Sequence, residues 1–168
     1  MIYHYSTLEY AVKIFETGYL KVSANEKSLG VKPSALWLSK NPVWEPSSSK
    51  GIIDHSTGES RSLNFQEQHS VIGCTRFIVP FKKEELCSWA RYKYASNTPI
   101  QLYQAMTKIG IQQGARPSDW YASFNDISMD IVIGFEIWDG EHWVNHDEDF
   151  KEAIDFHFQR INGEHFNN

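Results

Sequence analysis

The first residues alternate in a way that predicts a buried strand leading directly into a helix. Ile2 and His4 share one face of the predicted strand, and the tyrosines at positions 3 and 5 share the other. Ser6 and Glu9 fit the capping-box pattern, so we expect Ser6 to be the N-cap of the helix that follows. Apolar residues then repeat at helical spacing as far as Gly18, which suits a left-handed C-terminal cap. His4 is therefore expected at the end of a strand, beside a helix start.

Further along the chain, periodicity and turn residues predict a mixture of strands and helices. We expect strands over residues 19–22, 35–39, 70–81 and 131–138, and a hairpin at Asp139-Gly140 that leads into a strand over residues 141–144. Helices are expected over residues 83–94, 100–112 and 150–163. Residues 45–69 are mostly polar and predict a flexible loop or lid.

Length and composition restrict the class of protein. The chain has 168 residues and 41% hydrophobic content, enough for a packed core, and we expect residues 1–168 to form one domain. A net charge of −5 without a basic run disfavours unspecific nucleic-acid binding, although a specific nucleic-acid substrate stays open. The two cysteines are not in a C-x-x-C pair, and no apolar run is long enough to span a membrane. We therefore expect a cytoplasmic protein with no membrane partner.

The common catalytic signatures are missing from the sequence. There is no glycine-rich phosphate loop, no G-x-S-x-G elbow and no paired-cysteine or H-E-x-x-H metal site. His142 and His146 are four residues apart but lie around a predicted strand end, without a third ligand at a matching spacing. We expect no metal site.

Three ordered segments remain, and together they resemble a known fold. They contain His4 with Ser6, then Trp37 and Ser39 in Ala-Leu-Trp-Leu-Ser, and finally Glu136 in a late strand. In this order and context the chain is similar to the ADP-ribosyltransferases, which include poly(ADP-ribose) polymerases, diphtheria-type toxins and tRNA 2′-phosphotransferases. The resemblance implies a single α+β domain with a split, twisted, mostly antiparallel β core flanked by helices.

The resemblance also implies roles for individual residues, with NAD as the substrate. Glu136 would stabilise the positive charge that develops on the ribose when nicotinamide leaves, as in glycoside cleavage. His4, with Ser6 beside it, would orient the adenosine-side ribose, and Trp37, with Ser39 in the same strand and help from Tyr19, would stack on nicotinamide.

The pyrophosphate and the pocket acid each have a candidate with an open alternative. Arg76 would pair with the pyrophosphate, or else act as a structural partner of an acidic residue. If the alignment is moved back along the chain, Asp130 replaces Glu136 as the pocket acid.

Two functions from different classes follow from these residues. The first is an NAD-dependent transferase that moves ADP-ribose to a macromolecular acceptor, protein or nucleic acid, or an NAD-cleaving relative. The second is a catalytically inactive domain of the same type that binds a protein or nucleotide partner. Transfer of a 2′-phosphate from RNA would need a basic groove, which the acidic composition disfavours.

Overall fold

The protein is a single α+β domain, and its computed structural model describes residues 1–23, 34–53 and 57–166. The strands are β1 (Ile2–Ser6), β2 (Tyr19–Leu20), β3 (Leu36–Ser39), β4 (Gly51–Ile53), β5 (Ser60–Ser62), β6 (Thr75–Val79), β7 (Cys87–Ser88), β8 (Trp120–Ser123), β9 (Ile127–Ser128), β10 (Gly134–Trp138) and β11 (Trp143–Asn145). The helices are α1 (Leu8–Thr17), α2 (Phe65–Ile72), α3 (Trp89–Ala95), α4 (Ile100–Gln112) and α5 (Phe150–Phe166).

Seven strands form one sheet in the order β11-β10-β6-β1-β3-β8-β7, and neighbouring strands are antiparallel throughout. β1 pairs with β6 along its whole length, from Ile2 to Ser6. It pairs with β3 only once, at Tyr3 opposite Ser39. The sheet is therefore split between β1 and β3, next to the centre of the strand order.

Each face of the sheet has its own apolar core. On one face, α1 and α5 pack against the large side chains of the central strands, among them Phe77 and Phe135. The other face carries two smaller aromatic clusters, one around Trp89 and Trp120 and one around Trp44. The sheet thus lies between helices on one side and aromatic clusters on the other.

The first helix has the expected extent, but a different residue caps it. Thr7, not Ser6, is the N-cap, because the Thr7 hydroxyl accepts the Tyr10 N–H at 3.4 Å while Ser6 still belongs to β1. Gly18 ends the helix in the left-handed conformation (φ 71°), as predicted. The capping box occurs elsewhere, where Asn64 caps α2 and exchanges hydrogen bonds with Glu67.

The segment over residues 45–69 differs from a structureless lid. It contains a 3₁₀ turn (Pro46–Ser48), the β4–β5 hairpin and the start of α2, while residues 54–56 lie outside the described residues. Buried Gln68 accepts a hydrogen bond from the Lys50 N–H at 2.8 Å, which attaches the segment to α2. Polar composition here reflects a small, hydrogen-bonded substructure.

Three other predicted elements are shorter than expected. Residues 70–81 hold the end of α2 and then β6, because Gly73 (φ 70°) ends the helix. Residues 83–94 contain β7 before α3 begins at Trp89. The range 131–138 begins with the last residue of the 3₁₀ turn Met129–Ile131, so β10 begins only at Gly134.

Within the part of the chain that the structure describes, no helix has the length and apolar character needed to cross a bilayer.

Candidate functional site

A cavity of about 490 Å³ opens where β1 and β3 separate. Its walls come from those two strands, from the 3₁₀ turn Pro46–Ser48 and the residues around it, and from α4. This volume lies within the range of about 300–1,000 Å³ that is usual for small-molecule sites. The split in the sheet therefore creates space for a ligand next to β1.

His4 lies at the centre of this split. Its Nδ1 is 3.0 Å from the Trp37 carbonyl oxygen, which can only accept, so Nδ1 carries the proton. Burial lowers the pKa of His4 and nearby Lys50 lowers it further, although the bond to Trp37 opposes this shift. The imidazole is therefore neutral at pH 7, and its Nε2 is a lone-pair acceptor. Among the described residues, no hydrogen bond reaches Nε2.

Aromatic rings form one wall of the cavity. Trp37, Trp89 and Trp120 all line it. Trp89 and Trp120 meet edge to face with ring centroids 5.1 Å apart, and Trp37 packs against Tyr92 at 4.7 Å. These contacts fix the orientation of each ring, so this wall is a rigid apolar surface suited to a flat ligand.

A buried carboxylate, Glu45, connects the walls of the cavity. One of its oxygens accepts the Ser39 hydroxyl at 2.6 Å. The other accepts the Trp120 indole N–H at 2.9 Å and both the N–H and the hydroxyl of Ser47 at 3.2 and 2.7 Å. Glu45 is only 4% exposed, so these four donors stabilise its charge in place of water.

Two lysines supply positive charge to the cavity. Lys21 is exposed at its edge, and Lys50 is partly buried in its wall. Burial lowers the pKa of Lys50. In the described residues neither ammonium group has a carboxylate partner, unlike Lys13 and Lys82, which pair with glutamates in their own segments. The cavity thus combines an aromatic wall with unpaired cationic groups.

The structure places Glu136 and Arg76 outside this cavity. Their side chains form an ion pair across β6 and β10, and both are largely buried. Arg76 also donates to the Pro42 carbonyl and packs over the rings of Tyr3 and Trp143, at 4.6 and 4.5 Å from their centroids. Of the two roles left open for Arg76, the structure shows the structural one.

Strand register explains why Glu136 does not join His4 and Trp37. Glu136 lies opposite Arg76, which lies opposite Tyr5, whereas His4 lies opposite Phe77, on the other face of the sheet. Trp37 lies on the same face as Glu136, because Ser39, two residues further along β3, pairs with Tyr3, so strand order and not the face keeps these two apart. Two strands also separate β10 from β3, a distance of about 14 Å at the usual strand spacing. The structure therefore brings together two of the three expected groups and leaves the third apart.

The remaining predicted site residues lie in different places. Ser39 lines the cavity and donates to Glu45. Ser6 is buried in β1 opposite Thr75 and is not part of the lining. Tyr19 is 46% exposed in β2 and also lies outside the cavity. Asp130 is exposed and accepts the Ser128 hydroxyl at 3.0 Å, so it does not replace Glu136 as a pocket acid.

Sequence reasoning missed two polar residues of the site, Glu45 and Lys50. Both belong to the polar segment that was expected to be a lid, where no periodicity marks a buried position. The available signal was Trp44-Glu45-Pro46, a few residues after the predicted strand over residues 35–39, since proline after Glu45 suits the start of a helical turn. In the described residues no group of three His, Cys, Asp or Glu side chains is arranged as a metal site.

Comparisons with known proteins identify no relative of the chain. No protein-family model matches it, and neither the curated proteins nor the solved structures contain a match.

Proposed function

We propose that the cavity between β1 and β3 binds a nucleotide of the NAD type, in a domain built on the ADP-ribosyltransferase plan. The observation that carries this proposal is that His4 and Trp37 line one cavity at the split of an antiparallel sheet. These are two of the three residues on which the sequence resemblance rests. Binding is the leading function because the third residue, Glu136, is engaged with Arg76 elsewhere.

The chemistry of the cavity matches the parts of such a ligand. The neutral His4 offers Nε2 as an acceptor, and a ribose hydroxyl is a donor of suitable size. The wall that contains Trp37 offers a flat apolar surface for a base or a nicotinamide ring. A nucleotide thus satisfies both the polar and the aromatic surfaces of the cavity.

Transfer of ADP-ribose from bound NAD to a macromolecular acceptor is the second candidate. It is favoured by the carboxylate of Glu45, which lines the same cavity. The oxygen of Glu45 that accepts the Ser39 hydroxyl has no other hydrogen bond in the described residues, so it retains acceptor capacity. A carboxylate in this position would stabilise positive charge on a ribose during loss of nicotinamide.

Calorimetric titration with NAD tests the binding proposal. We expect the wild-type protein to bind NAD and His4→Ala to bind at least roughly 10-fold more weakly, the loss expected for one buried hydrogen bond and its contacts. His142→Ala is the matched control, because His142 is exposed in the β10–β11 connection. Circular dichroism verifies that each variant is folded. Absence of NAD binding by the wild type would refute the proposal.

Release of nicotinamide from NAD tests the second candidate. If Glu45 acts in the reaction, Glu45→Gln should lose turnover by orders of magnitude while NAD still binds. Glu136→Gln should keep its turnover per folded molecule, since Glu136 lies outside the cavity. Turnover that depends on Glu136 and not on Glu45 would contradict this assignment. A protein that binds NAD without any turnover is a binding domain.

A further inference from the structure

We propose that Lys50 forms a phosphate subsite at the polar end of the cavity and makes the site selective for phosphate-bearing nucleotides over nucleosides. This inference rests on the proposed nucleotide function and gives it a ligand class. The sequence resemblance offers Arg76 as one candidate for the phosphate contact, but the guanidinium of Arg76 is occupied by Glu136 and the Pro42 carbonyl. A phosphate in the cavity therefore needs another cation.

Lys50 has the position and the charge that this role requires. It lines the cavity and is partly buried, and in the described residues no hydrogen bond or ion pair reaches its ammonium group. Its Nζ lies 5.8 Å from the centroid of the Tyr10 ring. A partly buried cation without an anion is unfavourable, and an anionic ligand would remove that penalty.

The backbone around Lys50 holds it in place before any ligand arrives. The Lys50 N–H donates to buried Gln68, and the Lys50 carbonyl accepts the Leu63 N–H at 2.8 Å. Both backbone groups of Lys50 are hydrogen-bonded, so its backbone is already held in place. Ligand binding would then need to order only the Lys50 side chain. Such preorganisation reduces the entropy that binding must offset.

The acid in the same cavity does not neutralise this lysine. Glu45 accepts four hydrogen bonds from Ser39, Ser47 and Trp120, and no ion pair joins it to Lys50. Lys21 adds a second positive charge to the lining of the cavity, and Ser48 also lines it. Two lysines against one carboxylate leave the lining with a net positive charge, which favours an anion such as phosphate.

The arrangement also gives the ligand a direction. Lys50 and His4 line the same cavity, and the charge of Lys50 contributes, after burial, to lowering the pKa of the imidazole. A phosphate at Lys50 would therefore place the attached ribose near the free Nε2 of His4, with the base directed toward the aromatic wall. A nucleoside without phosphate would lose the contact with Lys50 alone.

Calorimetric titrations of wild type, Lys50→Gln and the control Lys83→Gln with adenosine, ADP-ribose, NAD and inorganic pyrophosphate test this inference. Lys83 is exposed and has no ion pair in the described residues. We expect Lys50→Gln to weaken the binding of ADP-ribose and NAD by roughly 10-fold to 100-fold, which is the range for a hydrogen bond to a charged group. The affinity for adenosine should stay unchanged. Binding of ADP-ribose and NAD by the wild type should weaken as the salt concentration increases, and less so in Lys50→Gln.

The outcomes separate this inference from the proposed function. Equal NAD affinity in wild type and Lys50→Gln would overturn the phosphate subsite and leave NAD binding intact. An equal loss for adenosine and NAD would also overturn it, because Lys50 would then only shape the cavity. Binding of ADP-ribose or pyrophosphate that depends on Lys50, without binding of NAD, would support the subsite and overturn the NAD proposal.

Discussion

Replacing Glu45 with alanine should destabilise the protein by about 1.5–4.5 kcal/mol. The substitution removes the acceptor of the Trp120 indole N–H and of the Ser47 backbone N–H, and neither donor can rotate to a new partner. The Trp120 indole N–H is buried and would be left unsatisfied, which costs about 1–3 kcal/mol, whereas Ser47 is exposed, so loss of its backbone hydrogen bond costs about 0.5–1.5 kcal/mol. The hydroxyls of Ser39 and Ser47 can turn toward the cavity. The two fixed donors together therefore give about 1.5–4.5 kcal/mol, a large fraction of a typical free energy of unfolding.

Urea denaturation monitored by tryptophan fluorescence measures this loss. Glu45→Gln should lower the free energy of unfolding by about 1–2 kcal/mol, less than Glu45→Ala. The amide keeps one acceptor oxygen but lacks the charge that strengthens the hydrogen bonds to Ser39, Ser47 and Trp120. Glu84→Ala is the control, since Glu84 is exposed and forms no ion pair in the described residues, and it should stay within about 0.5 kcal/mol of wild type. A loss below about 1 kcal/mol for Glu45→Ala would refute the view that Glu45 holds the cavity walls together.

Three other predictions concern packing, a buried ion pair and pH. Gly110→Ala should lower the free energy of unfolding by about 1–3 kcal/mol in urea denaturation, because the new Cβ would lie 2.2 Å from a ring carbon of Trp120; an unchanged value would contradict the close approach of α4. Glu136→Gln should cost about 3–5 kcal/mol in the same assay, since it leaves Arg76 buried without its carboxylate, and a neutral result would show that the pair is solvated. Burial, and to a lesser extent the charge of Arg160, lowers the pKa of His157 from 6.5 to about 4. The stability that depends on the neutral form of His157 is therefore complete above pH 6.5 and is lost as the pH falls toward 4. Urea denaturation between pH 7 and pH 4 should show this decline, and His157→Gln should reduce it.

Local sequence signals predicted the elements whose stability depends on nearby residues. The first helix and its glycine cap follow from apolar spacing and from the left-handed conformation that Gly18 adopts. The terminal helix α5 follows from the same periodicity. By contrast, β6 was predicted too long because Val71 and Ile72 are apolar and β-branched like strand residues, and only the turn at Gly73 separates them from β6.

The site was harder to predict because it depends on pairing between distant strands. His4 and Trp37 were placed correctly at one cavity because each belongs to a strand that borders the split. Glu136 was expected there from chain order, but register puts it opposite Arg76 and on the other face from His4. Glu45 and Lys50 are functional candidates only because the fold brings a polar segment against β3, which no periodicity indicates.

The most direct test of the central claim is a nuclear magnetic resonance titration of the tryptophan indole N–H signals with NAD. If the ligand binds in the split between β1 and β3, the indole signals of Trp37 and Trp120 should shift with increasing NAD. The signal of Trp143, which lies beside Arg76 outside the cavity, should stay in place. Shifts of the Trp143 signal without any change at Trp37 would contradict the assignment of the site.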